Sequence, residues 1–289
     1  VVSPERYLAL VKKALVNDLY IEAEALIAYL LLCAVRGQAA DTRALVRIQD
    51  MPGAVEAIRQ GKAVGRVLPI TSQAPDGRTV THHALRGAVE VAHTMIGRAR
   101  LDHLHECLDC IAAEDIPGDL IETGVWRGGA TIFMRAWLMA HGIANRTVWV
   151  ADSFDGLPPP TLPQDAGVDL SKRTNPFLAI PRAEVEALFA RYDLLDGQVR
   201  FLQGWFRDTL PTAPIERLAL LRLDGDLYES TMDALQALYH KVSPGGFVVV
   251  DDYYTNPTCA AAIADFRTAR GITAPTTDID GDALYWRVS

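Results

Sequence analysis

Apolar positions along the chain change rhythm near residue 116. Before it, apolar residues recur at three- and four-residue intervals over Pro4 to Val16 and Ile21 to Val35, the spacing of one helix face. From about 37 to 86 the pattern is loose and punctuated by Pro52-Gly53, Gly65 and Ala74-Pro75-Asp76-Gly77, which are turn signals. A short hairpin or a flap fits Gly61 to His82 there. Helical spacing resumes from about Gly87 to Ala113.

Beyond Ile116-Pro117-Gly118 short apolar runs alternate with helical stretches. Strands are predicted at Asp119 to Thr123, Arg146 to Ala151, Val199 to Gln203, Leu218 to Leu223 and Phe247 to Val250. The intervening helices are predicted at Gly128 to His141, from about Pro181 to Tyr192, at Ser230 to Val242 and at Thr258 to Arg270. Pro244-Gly245-Gly246 reads as the stop after the third of these. The turn Asp280-Gly281 between Thr276 to Ile279 and Leu284 to Val288 signals a hairpin. Repeated strand–helix–strand units build a mostly parallel sheet, so the expected fold is α/β and doubly wound, with an antiparallel C-terminal hairpin. Residues 1–115 form a helical extension and 116–289 the sheet domain, with a proline-rich loop over about 155–181 read as a lid.

The composition narrows the function. An apolar fraction of 49% is ample for a core, and a net charge of −8 opposes a nucleic-acid or anionic-membrane surface. No stretch approaches the roughly 18 apolar residues of a spanning helix, and the apolar run Ala23 to Val35 lacks the flanks of a signal peptide. A cytoplasmic protein is expected. The four cysteines include Cys107 and Cys110, which share a helix face with His103 and read as packing rather than as a zinc or redox pair.

Chemistry concentrates at the predicted strand ends. Asp224-Gly225-Asp226 and Asp251-Asp252 each follow a buried run, where open α/β sheets bind ligands. Four acids so placed repel one another unless some are protonated or a cation lies between them, so a metal-assisted site is expected. The first βα turn, Glu122-Thr123-Gly124-Val125-Trp126-Arg127-Gly128-Gly129, is glycine-rich, yet Glu122 occupies the place of the first glycine in a dinucleotide fingerprint. That acid repels a pyrophosphate and welcomes a cationic amino-acid group. Asp152, ending the second strand before Ser153, is placed either for ribose hydroxyls or as a turn cap. Trp205 after Gly204 follows the third strand, where an indole can stack on a base.

These strings resemble the macrocin O-methyltransferase family. The resemblance rests on the first βα turn, on Val148-Trp149-Val150-Ala151-Asp152-Ser153-Phe154, on Gly204-Trp205-Phe206-Arg207-Asp208-Thr209-Leu210-Pro211, and on Leu223-Asp224-Gly225-Asp226-Leu227-Tyr228. Gly245-Gly246-Phe247, Asp251-Asp252-Tyr253 and Ala92-His93-Thr94-Met95-Ile96-Gly97 extend it. It runs from about residue 88 to the C-terminus and departs at Arg36 to Leu85 and Pro158 to Pro181.

The resemblance implies an S-adenosylmethionine-dependent O-methyltransferase of a class I, Rossmann-like fold. It acts with Mg²⁺ on a deoxysugar hydroxyl of a glycosylated natural product in antibiotic biosynthesis. Asp224, Asp251 and Asp252 are then the metal ligands and Asp226 the base, with Asp224 and His93 as alternative bases. Thr94 and Met95 line the donor's methionine end, with Glu122, Thr123, Gly124, Asp152, Ser153, Gly204, Trp205 and Asp224 completing the donor site. A homodimer or homotetramer is expected. The competing readings are methylation of a phenolic or other polyketide hydroxyl, which needs less help from a cation, and a non-catalytic cofactor-binding protein.

Overall fold

The computed structural model describes residues 3–41, 43, 52–63, 65, 71–81 and 91–289. The chain divides into two compact units, Leu10–Arg98 and a larger one comprising Val1–Ala9 and Ala99–Ser289. In chain order it begins with α1 (Pro4–Leu15), α2 (Ile21–Val35), α3 (Pro52–Ala63) and the hairpin β1 (Thr71–Gln73) with β2 (Thr79–Thr81). In the smaller unit Ile21 and Ala25 of α2 pack on Ile58 of α3. The buried Glu24 accepts from Lys62 Nζ at 2.7 Å and from Asn17 Nδ2 at 2.9 Å, because a buried charge must be paired.

The larger unit carries α4 (Gly97–Ala113), β3 (Asp119–Thr123), α5 (Gly129–Ala140), β4 (Val148–Asp152), α6 (Arg182–Arg191) and β5 (Val199–Gln203). The short helix α7 (Phe206–Thr209), β6 (Leu218–Leu223), α8 (Tyr228–Leu238), β7 (Val242–Val250), α9 (Pro257–Arg270), β8 (Thr277–Asp278) and β9 (Leu284–Arg287) follow. The seven strands lie in the order β5-β4-β3-β6-β7-β9-β8. The first five are mutually parallel, while β9 runs antiparallel to β7 and β8. This is the doubly wound sheet with a reversed C-terminal hairpin that the sequence predicts. All six residues of β6 are buried, which is why the run lacks alternation: helices cover both faces. One core cluster joins Ile121, Leu221, Leu235, Val248, Phe266 and Trp286, each large apolar side chain contributing about 1.5–3 kcal/mol by burial.

Three predicted boundaries move. Residues 91–96 are irregular, and α4 starts only at Gly97, where φ of +71° turns the chain. A Cβ at Gly97 would stand 2.2 Å from Gly65 N, so the turn needs glycine. The helix expected to reach Val242 ends at Leu238, and Pro244-Gly245-Gly246 lies inside β7. There the β6–β7 register shifts, and Ser243 Oγ donates to Pro117 O at 2.6 Å. The loosely patterned region contains α3, which the sequence reading leaves unassigned. Among the described residues no helix is long and apolar enough to cross a membrane.

Candidate active site

The sheet changes winding direction between β3 and β6: from β3 the chain steps outward to β4 and β5, and from β6 to β7 on the other side. Ligand crevices open at such a switch point, beyond the carboxyl ends of the strands. Here two backbone loops nearly touch. Asp224 N donates to Thr123 O at 2.9 Å, and a Cβ on Gly124, whose φ is +89°, would stand 1.8 Å from Asp224 O. Only glycine allows that approach.

The acids gather on this edge. Asp251 N donates to Leu223 O at 2.9 Å, setting the end of β7 beside that of β6. One carboxylate oxygen from each of Asp224, Asp251 and Asp252 lies within 4.8 Å of the others. Asp226 adopts φ of +57°, a left-handed conformation that Asp tolerates but that costs of order 1 kcal/mol. It is held from both sides. Its N–H donates to Asp252 Oδ2 at 3.2 Å, and its carbonyl accepts from Thr258 Oγ1 at 3.4 Å.

Beneath the acids lies a residue that the apolar reading of β6 conceals. Arg222 is 2% exposed; its Nη1 reaches Glu122 Oε1 and Asp224 Oδ2, each at 2.6 Å, and its Nη2 pairs with Asp251 Oδ1. Arg100 donates to the other Asp251 oxygen at 2.5 Å and ties it to Asp280 at 2.8 Å and Asp282 at 2.9 Å, on the turn between β8 and β9. Burial opposes the Arg222 charge, yet Asp251, Asp224 and Glu122 hold its pKa above the usual value. The acids respond in the other sense. Burial, with Asp251 adding, pushes Asp224 up to about 6, and burial pushes Glu122 up to about 8 against the pull of Arg222. Asp252 is raised well above the carboxylate range by burial and by Asp226 and Asp224. Negative charge remains in excess of the two guanidiniums, and every donor is a hard carboxylate oxygen. This set suits a small hard dication. Asp251 already accepts from both arginines, so the emptier oxygens belong to Asp224 and Asp252.

Of the predicted donor-site residues, Glu122, Thr123, Gly124, Asp152, Ser153, Gly204 and Trp205 lie at the β3, β4 and β5 ends of the same edge. Glu122 is buried, and its Oε2 has no hydrogen-bond partner among the described residues. Asp152 accepts from Val125 N at 2.8 Å, from Phe154 N at 2.7 Å and, more weakly, from Ser153 Oγ at 3.4 Å, so the turn-capping role is real. Burial raises its pKa. Gly204 N donates to Asp152 O at 2.9 Å, bringing Gly204 and Trp205, which precedes α7, beside that acid. Thr123 Oγ1 donates to Arg222 O at 3.3 Å, and Ser153 Oγ to Gly156 O at 2.6 Å. His93, Thr94 and Met95 belong to the smaller unit, where Thr94 is buried and His93 N donates to Leu15 O at 2.8 Å.

The model of the macrocin-O-methyltransferase (TylF) family matches residues 4–288. The chain belongs to this family. It is therefore an O-methyltransferase. The chain is similar to the 8-demethyl-8-(2,3-dimethoxy-alpha-L-rhamnosyl)-tetracenomycin-C 4'-O-methyltransferase of Streptomyces olivaceus, with 52% identity over 227 residues, 77% of this chain and 86% of that one. It is similar to the mycinamicin III 3''-O-methyltransferase of Micromonospora griseorubida, with 50% identity over 204 residues, 69% of this chain and 80% of that one. Among solved structures, the O-methyltransferase NovP superposes with a TM-score of 0.78 at 40% identity, covering 99% of this chain and all of NovP (100%).

Sequence reasoning misses Arg222 and Arg100, and it finds the Asp280-Gly281 turn as a hairpin signal without its tie through Arg100 to Asp251. A signal exists for the first: an arginine inside a run otherwise fully buried must find acid partners. It misses Asp165 as well. This buried loop residue accepts from Tyr228 N at 2.7 Å and Glu229 N at 3.1 Å, fastening the proline-rich segment to the first turn of α8. The Cys107–Cys110 pair is made of free thiols, Cys107 packed against His103 and Cys110 bonded to Glu114.

Proposed function

We propose that this chain transfers a methyl group from S-adenosylmethionine to a hydroxyl of a deoxysugar on a glycosylated natural product, in antibiotic biosynthesis, with Mg²⁺ in the acid cluster. The observation that carries this is the convergence of Asp224, Asp226, Asp251 and Asp252 on neighbouring strand ends in a member of this family. Relatives that are half identical are named for glycosylated tetracenomycin and for mycinamicin, which favours a sugar hydroxyl over a phenol.

Methyl transfer from a sulfonium is an in-line displacement: the C–S bond breaks with its electron pair staying on sulfur, and the C–O bond forms as the hydroxyl loses its proton. Glu122 faces the donor's ammonium group, Asp152 its ribose hydroxyls, and Trp205 its adenine. Asp226 takes the hydroxyl proton. Asp224, Asp251 and Asp252 would hold Mg²⁺, which supplies a lower hydroxyl pKa and a fixed oxygen when bound. Arg222 and Arg100 keep Asp251 and Asp224 in place beforehand, so little reorganisation is left for the reaction. The loop of about 155–181, fastened by Asp165, covers the site and excludes water. Exposed Leu10, Leu19, Tyr20 and Leu30 in the N-terminal helices and their connection favour a homo-oligomer, and the enzyme works in the cytoplasm.

The test is a panel of glycosylated acceptors with mass detection of one added CH₂. Asp226→Asn should lower kcat by on the order of 10²–10⁴-fold while donor affinity is kept; unchanged turnover removes Asp226 as the base. Chelation should abolish transfer and Mg²⁺ restore it, and full activity after exhaustive chelation defeats the metal assignment.

A further inference from the structure

Away from the sheet edge, a second group of metal-ligating side chains bridges two helices of the larger unit. His105 and Asp109 stand one turn apart on α4, and His141 is the residue capping the C-terminal end of α5. One ligand atom from each, two imidazole nitrogens and a carboxylate oxygen, lies within 4.8 Å of the others. We propose that His105, Asp109 and His141 form a binding site for a borderline transition-metal dication of the Zn²⁺ class, separate from the hard-cation site in the acid cluster.

Donor chemistry separates the two. Imidazole nitrogens suit Zn²⁺ and its neighbours, whereas an all-carboxylate set suits Mg²⁺. Three protein ligands and one water complete a tetrahedral zinc site. The solvent side is open here: the Asp109 side chain is 52% exposed, and His141 is exposed as well.

One buried residue orients two of the ligands. Trp137 Nε1 donates to Asp109 Oδ1 at 2.8 Å, leaving Oδ2 for a cation, and the Trp137 ring stacks on His141 with centroids 4.4 Å apart. The Phe133 edge packs against the His105 ring at 5.5 Å, and His105 Nε2 lies 3.6 Å from Asp109 Oδ1. Such outer contacts fix ligand direction in metal sites. His141 also sits at the negative end of the α5 dipole, which favours a cation.

Metal–ligand bonds of about 2.0–2.2 Å put ligand atoms roughly 3.3 Å apart; the His105–Asp109 pair already stands at 3.6 Å, so loading needs only a small inward movement. Rotation of the two exposed side chains supplies that movement. The bound cation would then brace α4 against α5. The competing account is an ordinary His105–Asp109 pair beside an aromatic stack, with no affinity for metal.

The test uses the full chain without a polyhistidine tag, stripped by chelator and dialysed against Zn²⁺ in excess Mg²⁺. The wild type should bind one Zn²⁺ that His141→Ala and Asp109→Asn bind on the order of 100-fold more weakly. Zn²⁺ should raise the melting temperature of the wild type alone. Co²⁺ in the wild type should give the visible absorption of a tetrahedral nitrogen-ligated ion, a reading that needs no variant. Equal Zn²⁺ affinity in the wild type and both variants, or no saturable Zn²⁺ and no such Co²⁺ band in the wild type, overturns the proposal.

Discussion

At the scale of single residues, Arg222 shows how one buried charge organises a site. Its one guanidinium bonds Glu122, Asp224 and Asp251 together. Arg222→Met, similar in length and apolar, leaves those acids buried around a missing cation. Removing one partner of a buried ionic group costs about 3–5 kcal/mol, and urea unfolding should show a loss of that size. Arg222→Lys should fall between, because a point charge cannot serve three acids from a planar fork. His103 offers a pH-dependent case. Burial first, and the charge of Arg222 second, lower its pKa to about 4, and its ring lies 4.5 Å from that of Tyr285. The unfolded chain, with an ordinary histidine pKa near 6.5, binds the proton that the folded chain refuses. The stability from the neutral imidazole is therefore complete above about 6.5 and is lost as pH falls towards 4. Between pH 7 and 4.5 the wild type should lose more stability in thermal melts than His103→Gln; parallel curves would show that His103 does not titrate in this way.

At the scale of elements, Asp165 joins a loop to a helix. Its carboxylate satisfies two N–H groups in the first turn of α8, at the positive end of the helix dipole. Asp165→Ala should cost about 1–2 kcal/mol and loosen the proline-rich loop, so amide exchange should quicken across 155–181 and at Tyr228 and Glu229. Protection unchanged in the loop would mean that its prolines hold it without the anchor. What the sequence reveals follows the same division. Strands β3, β4 and β6 and the Phe247–Val250 part of β7 are legible because burial on both faces leaves apolar runs, and the acids at their ends are legible because the switch-point rule gives position a meaning. The arginines and Asp165 are not, since their partners are distant in sequence: Arg222 meets Glu122, Arg100 meets Asp251, and Asp165 meets Tyr228. No local pattern carries such pairs. Pro244-Gly245-Gly246 misleads for a related reason, because pairing to β6 and the Ser243–Pro117 bond override a local helix-stop signal.

At the scale of the whole molecule, net charge of −8 and a sheet edge crowded with carboxylates make the fold sensitive to cations. Without one, burial foremost and the neighbouring acids in addition displace the pKa values of Asp224, Glu122 and Asp252 upward, toward the protonated form. A hard dication held by the proposed site would relieve the repulsion among these acids without protons and, binding the folded chain only, would stabilise by mass action, about 2.7 kcal/mol at a hundredfold excess over Kd. Mg²⁺ should therefore raise the melting temperature at neutral pH, and the rise should shrink as pH falls and protons compete for the same oxygens. Asp252→Asn should abolish most of the rise, because among the described residues Asp252 is the one of the three ligand carboxylates with no arginine bonded to it. His141→Ala should retain it, since that residue belongs to the nitrogen-rich group on α4 and α5. A Mg²⁺ response absent in the wild type would leave protons as the neutralising species, and one that survives in Asp252→Asn would put the cation outside the acid cluster; either result leaves Asp226, the proposed base, to take the hydroxyl proton without a cation in the cluster.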